Sequence, residues 1–196
     1  MQNIPFDFIL MLAEWAAAGL GLLGVFLGFR QHRSTWLAWL TSSLLYLGLT
    51  WLWALYGQML VMVSFVGVSL WGYVQWNRPR APGTVPLSVQ AGARDLLGCG
   101  FLWLVLALAL SELGSSLALL DAAIATLSLL AMVWTARRHL ACWPAWLMVN
   151  LLSMGLYSTQ SLWPTVALYF VQAVLAGFGL QRWRVLGLAQ GERAVE

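Results

Sequence analysis

The sequence predicts an all-α integral membrane protein. Seven transmembrane helices form a 3+1+3 plan, in which one extra helix joins two parallel three-helix repeats. Three observations predict it: an apolar composition, seven apolar runs with every basic residue on one side of them, and self-similarity at a shift of 107 residues. Of the 196 residues, 61% are hydrophobic and 9% charged, with a mean hydropathy of +0.79. Soluble domains run nearer half apolar and a quarter charged, and disordered chains are more polar still. The isoelectric point near 9.2 rests on ten scattered Arg and no Lys. Such a set makes no basic face for nucleic acid. The two Cys, Cys99 and Cys142, lie in apolar surroundings and indicate no redox compartment.

About 20 apolar residues in helix cross the ~30 Å hydrocarbon core, and a helix satisfies its own backbone groups in lipid. The first span is Pro5–Phe29. With Asp7 at its start, Arg30 after it and no basic segment ahead, it is not expected to be a cleaved signal peptide. Its Gly24-x-x-x-Gly28 is a close-packing pattern of membrane helices. Spans two and three, Trp36–Leu55 and Gly57–Trp76, are almost continuous, with Tyr56-Gly57-Gln58 marking the turn. The polar stretch Asn77–Asp95, with three Pro, reads as a linker. Span four is Leu96–Leu113, span five Ser116–Ala136 and span six Cys142–Tyr157. Ser158-Thr159-Gln160-Ser161 and Pro164 part span six from span seven, Leu162–Trp183.

The ten Arg orient these spans. Arg30 and Arg33 follow span one, and Arg78, Arg80 and Arg94 follow span three. Arg137 and Arg138 follow span five, and Arg182, Arg184 and Arg193 end the chain. All fall on one face, which the positive-inside rule makes cytoplasmic, so the N-terminus is expected outside and the C-terminus inside.

Leu12–Trp76 aligns with Leu119–Trp183 without a gap, at 19 identities in 65 positions. Nine of these are Leu on Leu. The informative ones are Trp36 on Trp143, Trp39 on Trp146, Trp76 on Trp183, Arg30 on Arg137, His32 on His139, Gly48 on Gly155 and Gly72 on Gly179. A three-span unit ends on the face opposite its start, so one more span must intervene before a parallel copy. Residues 96–113 supply it, between repeats 12–76 and 119–183 of a single membrane domain. That plan belongs to transporters, which hold substrate near the midplane between the halves.

Trp143-Pro-Ala-Trp146-Leu-Met-Val-Asn150 carries the strongest local signal. The i, i+3, i+7 spacing puts both Trp and the Asn on one helix face. Asn150 lies about 12 Å inward from Cys142. A buried amide there could read a hydroxyl or carboxamide, and two Trp could hold a flat, cationic ring. The same residues also suit an interfacial belt and an interhelical hydrogen bond. The matching motif is Trp36, Trp39 and Ser43, which makes a pseudo-symmetric cradle with different polar groups in its halves. Tyr46, Tyr157, Tyr169 and Gln172 could complete it. Glu14 and Asp121 are read as the only carboxylates inside spans. Lying near the outer ends, they suit an external mouth or a helix cap better than proton coupling. His32 and His139 lack companions for a metal site. There is no GxSxG, HExxH, phosphate loop or metal-spaced Cys pair, so neither an enzyme nor a cofactor is expected.

These residues resemble the Pnu family of bacterial vitamin-precursor transporters, whose best-known members carry nicotinamide riboside. The family's WxxWxxxN is matched by Trp143, Trp146 and Asn150. Asp121, the run Leu127–Arg138, Tyr169, Gly179 and Trp183 fit its flanking helices. Glu14, Trp36, Tyr46, Tyr56 and Trp71–Trp76 are similar in the first half. The resemblance spans nearly the whole chain. It implies a SWEET-like fold and facilitated diffusion across a bacterial inner membrane. It also implies trapping of the cargo by a cytoplasmic kinase, with Trp146 and Asn150 touching the ligand and Trp143 helping. A homo-oligomer is compatible with it. Met62 and Phe65 depart from the Gln and Tyr frequent in riboside carriers. Thiamine-carrying relatives tend to hold Asp at the place of Asn150, so Asn150 favours the riboside. Thiamine transport, and a vitamin-binding subunit of a larger importer, are the alternatives.

Overall fold

A computed structural model describes residues 6–53, 56–78, 92–112 and 117–193. Seven helices occupy them: α1 (Phe6–Phe29), α2 (Ser34–Leu52), α3 (Tyr56–Asn77), α4 (Ala93–Glu112), α5 (Ala118–Ala136), α6 (Cys142–Thr159) and α7 (Trp163–Arg193). They fall into two compact units, one carrying α1–α3 and the other α4–α7.

In the first unit α2 packs against both α1 and α3. In the second, α4 packs on α5, α5 on α6, and α6 on α7. The middle helices, α2 and α6, are those rich in Ser, Thr, Asn and Trp. The other five, α1, α3, α4, α5 and α7, are long and apolar enough to cross a bilayer by length and composition. In α2 and α6 polarity goes with position, because a helix that meets protein on two sides can satisfy polar groups there; α5, between α4 and α6, also meets protein on two sides but stays apolar enough to count among the five. Leu97, Phe101 and Leu108 of α4 project from the unit, as do Phe8 and Trp15 of α1. α6 divides its own surface in the same way, burying Trp143, Val149, Asn150 and Ser153 and exposing Met148 and Leu151.

The α1–α2 and α5–α6 turns are built alike. Gln31 and Arg138 take left-handed backbone conformations, with φ of 55° and 59°. The Gln31 N–H donates to Gly28 and the His32 N–H to Leu27. At the positions 107 residues on, the Arg138 N–H donates to Thr135 and the His139 N–H to Trp134. This is the Schellman closure of a helix C-terminus. Ser161, with φ 58°, closes α6 in the same way, through Ser161 to Ser158 and Leu162 to Tyr157.

Several expected boundaries move. Tyr56-Gly57-Gln58 belongs to α3 rather than to a turn, because α2 already ends at Leu52. α6 continues through Ser158 and Thr159, whose hydroxyls bond Gly155 and Leu156 carbonyls and so suit a last helical turn. α7 continues past Trp183 to Arg193, where Gln, Arg, Leu and Ala favour helix outside an apolar run. α4 starts at Ala93, so the expected linker is helical at both described ends and residues 79–91 lie outside the described residues. Asp95 is therefore a helical carboxylate in the first turn of α4, and with Asp7 in the first turn of α1 and Glu112 at the end of α4, Glu14 and Asp121 are not the only ones.

Candidate functional site

Trp143 and Trp36 sit in matching boxes. Trp143 is 3% exposed and Trp36 fully buried. The Trp143 ring lies edge-on to Trp183 at 5.3 Å, and Trp36 lies edge-on to Trp76 at 5.4 Å. A Cβ on Gly179 would occupy the Trp143 ring, and one on Gly72 the Trp36 ring. Both Trp are thus held flat against a glycine of the third helix in their own repeat. Neither indole N–H has a hydrogen-bond partner. In these positions the two rings pack α6 on α7 and α2 on α3.

The second Trp of each motif turns to the other neighbour. Trp146 Nε1 donates to Thr135 Oγ1 of α5 at 3.1 Å, and Thr135 in turn donates to Ala131. Trp39 Nε1 donates to the Gly21 carbonyl of α1 at 3.2 Å, with its ring over Gly24. The Gly24/Gly28 pattern is therefore where α2 closes on α1. At the positions matching Gly21 and Gly24 stand Ser128 and Ala131, so Trp146 cannot seat as Trp39 does and takes a side-chain partner instead.

Asn150 is 2% exposed and its Oδ1 has no hydrogen-bond partner. It shares the inward face of α6 with Trp143, which meets α7, and Trp146, which meets α5. Ser43, at the matching place in α2, is also buried. The neighbouring Ser42 donates to the Ala17 carbonyl of α1 at 2.8 Å. Tyr169 of α7 stacks on Tyr157 of α6 with centroids 5.5 Å apart and planes 9° from parallel. Gln172, half-buried, follows Tyr169 by one turn. Trp143, Trp146, Asn150, Tyr169 and Gln172 thus belong to one unit, and Trp36, Trp39 and Ser43 to the other. Glu14 is exposed and Asp121 half-buried, in the first turn of α5.

Sequence reasoning passed over three residues. Ser153 and Ser69 are fully buried with hydroxyls that have no partner. Ser153 follows Asn150 by three residues, a spacing that could have flagged it. Asp95 joins α4 to α5: it accepts from Arg137 at 2.8 and 3.0 Å and from Trp134 Nε1 at 2.9 Å. Arg30, the residue matching Arg137, instead lies over the Phe26 ring at 4.4 Å. Among the described residues no three His, Cys, Asp or Glu gather as metal ligands.

Residues 11–185 match the family model described as nicotinamide mononucleotide transporter. The chain belongs to the nicotinamide mononucleotide transporter family. It is therefore a multi-pass membrane transporter rather than an enzyme. It is 26% identical over 186 residues to the nicotinamide riboside transporter PnuC of Neisseria mucosa, covering 87% of this chain and 71% of that protein. Its fold is similar to the crystal structure of the vitamin B3 transporter PnuC, with a TM-score of 0.70 and 23% identity over 91% of this chain and 83% of that one. The resemblance carried by Trp143, Trp146 and Asn150 thus names the right family.

Proposed function

We propose that this family member carries nicotinamide riboside across a bacterial inner membrane by facilitated diffusion, and that ATP-dependent phosphorylation in the cytoplasm traps it. The supporting observation is the inward face of α6. It combines a Trp146 ring held by Thr135 with a buried Asn150 oxygen that has no partner in the protein. A neutral acceptor beside an aromatic wall complements a flat cation bearing hydroxyls or a carboxamide. Family membership and the Neisseria mucosa relative support the choice of riboside.

In this reading Trp146 and Asn150 touch the ligand, with Tyr169 and Gln172 alongside. Trp36, Trp39 and Ser43 occupy the matching places of the first repeat. Trp143 and Trp36 act mainly by holding the helices that present the others. The sequence repeats, carried by α1–α3 and α5–α7 with α4 between them along the chain, suit a SWEET-like 3+1+3 plan with the N-terminus outside. Glu14 and Asp121 stand toward the outer mouth. Association into a homo-oligomer is compatible with the outward apolar side chains of the flanking helices.

A binding series tests the substrate. Quenching of Trp fluorescence is measured with nicotinamide riboside, its mononucleotide, thiamine and riboflavin. Riboside should quench most tightly, and Trp146→Ala should abolish the response. Tighter binding of thiamine would replace the riboside as cargo.

A further inference from the structure

We propose that Ser153 is a specificity-determining residue which, with Asn150, reads adjacent hydroxyls on the sugar of the transported molecule. The inference rests on the riboside reading above and deepens it. Ser153 is 0% exposed, and its Oγ has no hydrogen-bond partner. Hydroxyls buried in membrane helices usually bond a carbonyl one turn back, and this unit follows the habit elsewhere. Thr126 donates to Ala122 at 2.8 Å, Ser128 to Ile124 at 2.7 Å and Thr135 to Ala131 at 2.7 Å. Ser153 does not. A buried polar group left without a partner is destabilising, so its retention calls for a partner from outside the fold.

Asn150 Oδ1 is in the same condition, one turn away on the same face of α6. Residues at i and i+3 place their side chains about 5–6 Å apart at Cβ, so both can reach neighbouring groups of one small ring. Asn150 Oδ1 requires a donor, whereas the serine hydroxyl donates or accepts. Two adjacent ring hydroxyls offer that combination. Both side chains are neutral, so the pair favours hydroxyls over a phosphate. The first repeat has Ser43 and Tyr46 at the corresponding places, which confines this pair to the second half.

The test measures affinities of the full-length protein for nicotinamide riboside and for its 2′-deoxy and 3′-deoxy analogues, in wild type and Ser153→Ala. Ser153→Ala should weaken riboside binding by roughly 3- to 10-fold, the worth of one hydrogen bond. It should leave the affinity for one deoxy analogue unchanged, and wild type should bind that analogue more weakly than riboside by a similar factor. The unliganded melting temperature should stay level or rise, because the substitution removes an unpartnered hydroxyl. Riboside binding equal in wild type and Ser153→Ala would overturn this inference and leave the riboside reading standing. So would an equal loss for riboside and both analogues, the mark of a packing defect. Failure of wild type to bind riboside would overturn both.

Discussion

Trp143 shows how a residue can belong to a motif and serve packing. Its ring fills the space where Gly179 has no Cβ and meets Trp183 edge-on, a favourable aromatic geometry. Gly179→Ala should therefore force the ring aside and cost about 1–3 kcal/mol, as overpacking does. Gly155→Ala, where nothing lies within 4 Å, should be neutral or stabilising, since Ala is the better helix former. Thermal unfolding of both variants in detergent checks this, and equal melting temperatures would contradict it. The Trp143–Trp146–Asn150 face is legible from spacing alone, because periodicity assigns residues to a helix face. The division of labour between the two Trp is not. It depends on which neighbouring helix presents a glycine and which a hydroxyl, and spacing within one helix carries no information about that.

At the scale of elements, α4 has no counterpart in the repeat, and its attachment is correspondingly particular. Trp103 Nε1 donates to the Leu119 carbonyl at 3.1 Å, and Asp95 joins Trp134 and Arg137 at the other end of α5. The Arg137 side chain is 44% exposed and the Asp95 side chain 23%, so the ion pair itself contributes less than about 1 kcal/mol. Trp134 is 5% exposed, and stranding its indole N–H costs about 1–3 kcal/mol. Asp95→Ala should thus destabilise the protein more than Arg137→Ala, by chemical or thermal unfolding in detergent. The reverse order would assign the joint to charge rather than to the buried hydrogen bond. The seven helices are legible from length and hydropathy to within a few residues, except at the end of α7, which runs on from Trp183 to Arg193. The ends that moved are those where polar residues continue a helix, as in α7 beyond Trp183, or where a carboxylate that looks like loop finds partners on another helix, as Asp95 does.

At the scale of the molecule, two local features recur at the 107-residue shift of the sequence. The left-handed Gln31 and Arg138, and the glycine boxes around Trp36 and Trp143, recur at the same 107-residue shift. Among the differences between the copies are polar ones: Ser43 against Asn150, Tyr46 against Ser153, Gly21 against Ser128. Like packing motifs with unlike polar groups suit an asymmetric cargo. The family match spans residues 11–185, which contains both sequence repeats. In the proposed reading the Trp146–Asn150 face carries nicotinamide riboside passively. Uptake of labelled riboside into proteoliposomes is measured without ATP or an ion gradient. It should equilibrate across the membrane and fall about tenfold in Asn150→Ala, the upper end of one hydrogen bond's contribution. Uptake that requires ATP or an ion gradient, or that is unaffected by Asn150→Ala, would contradict it.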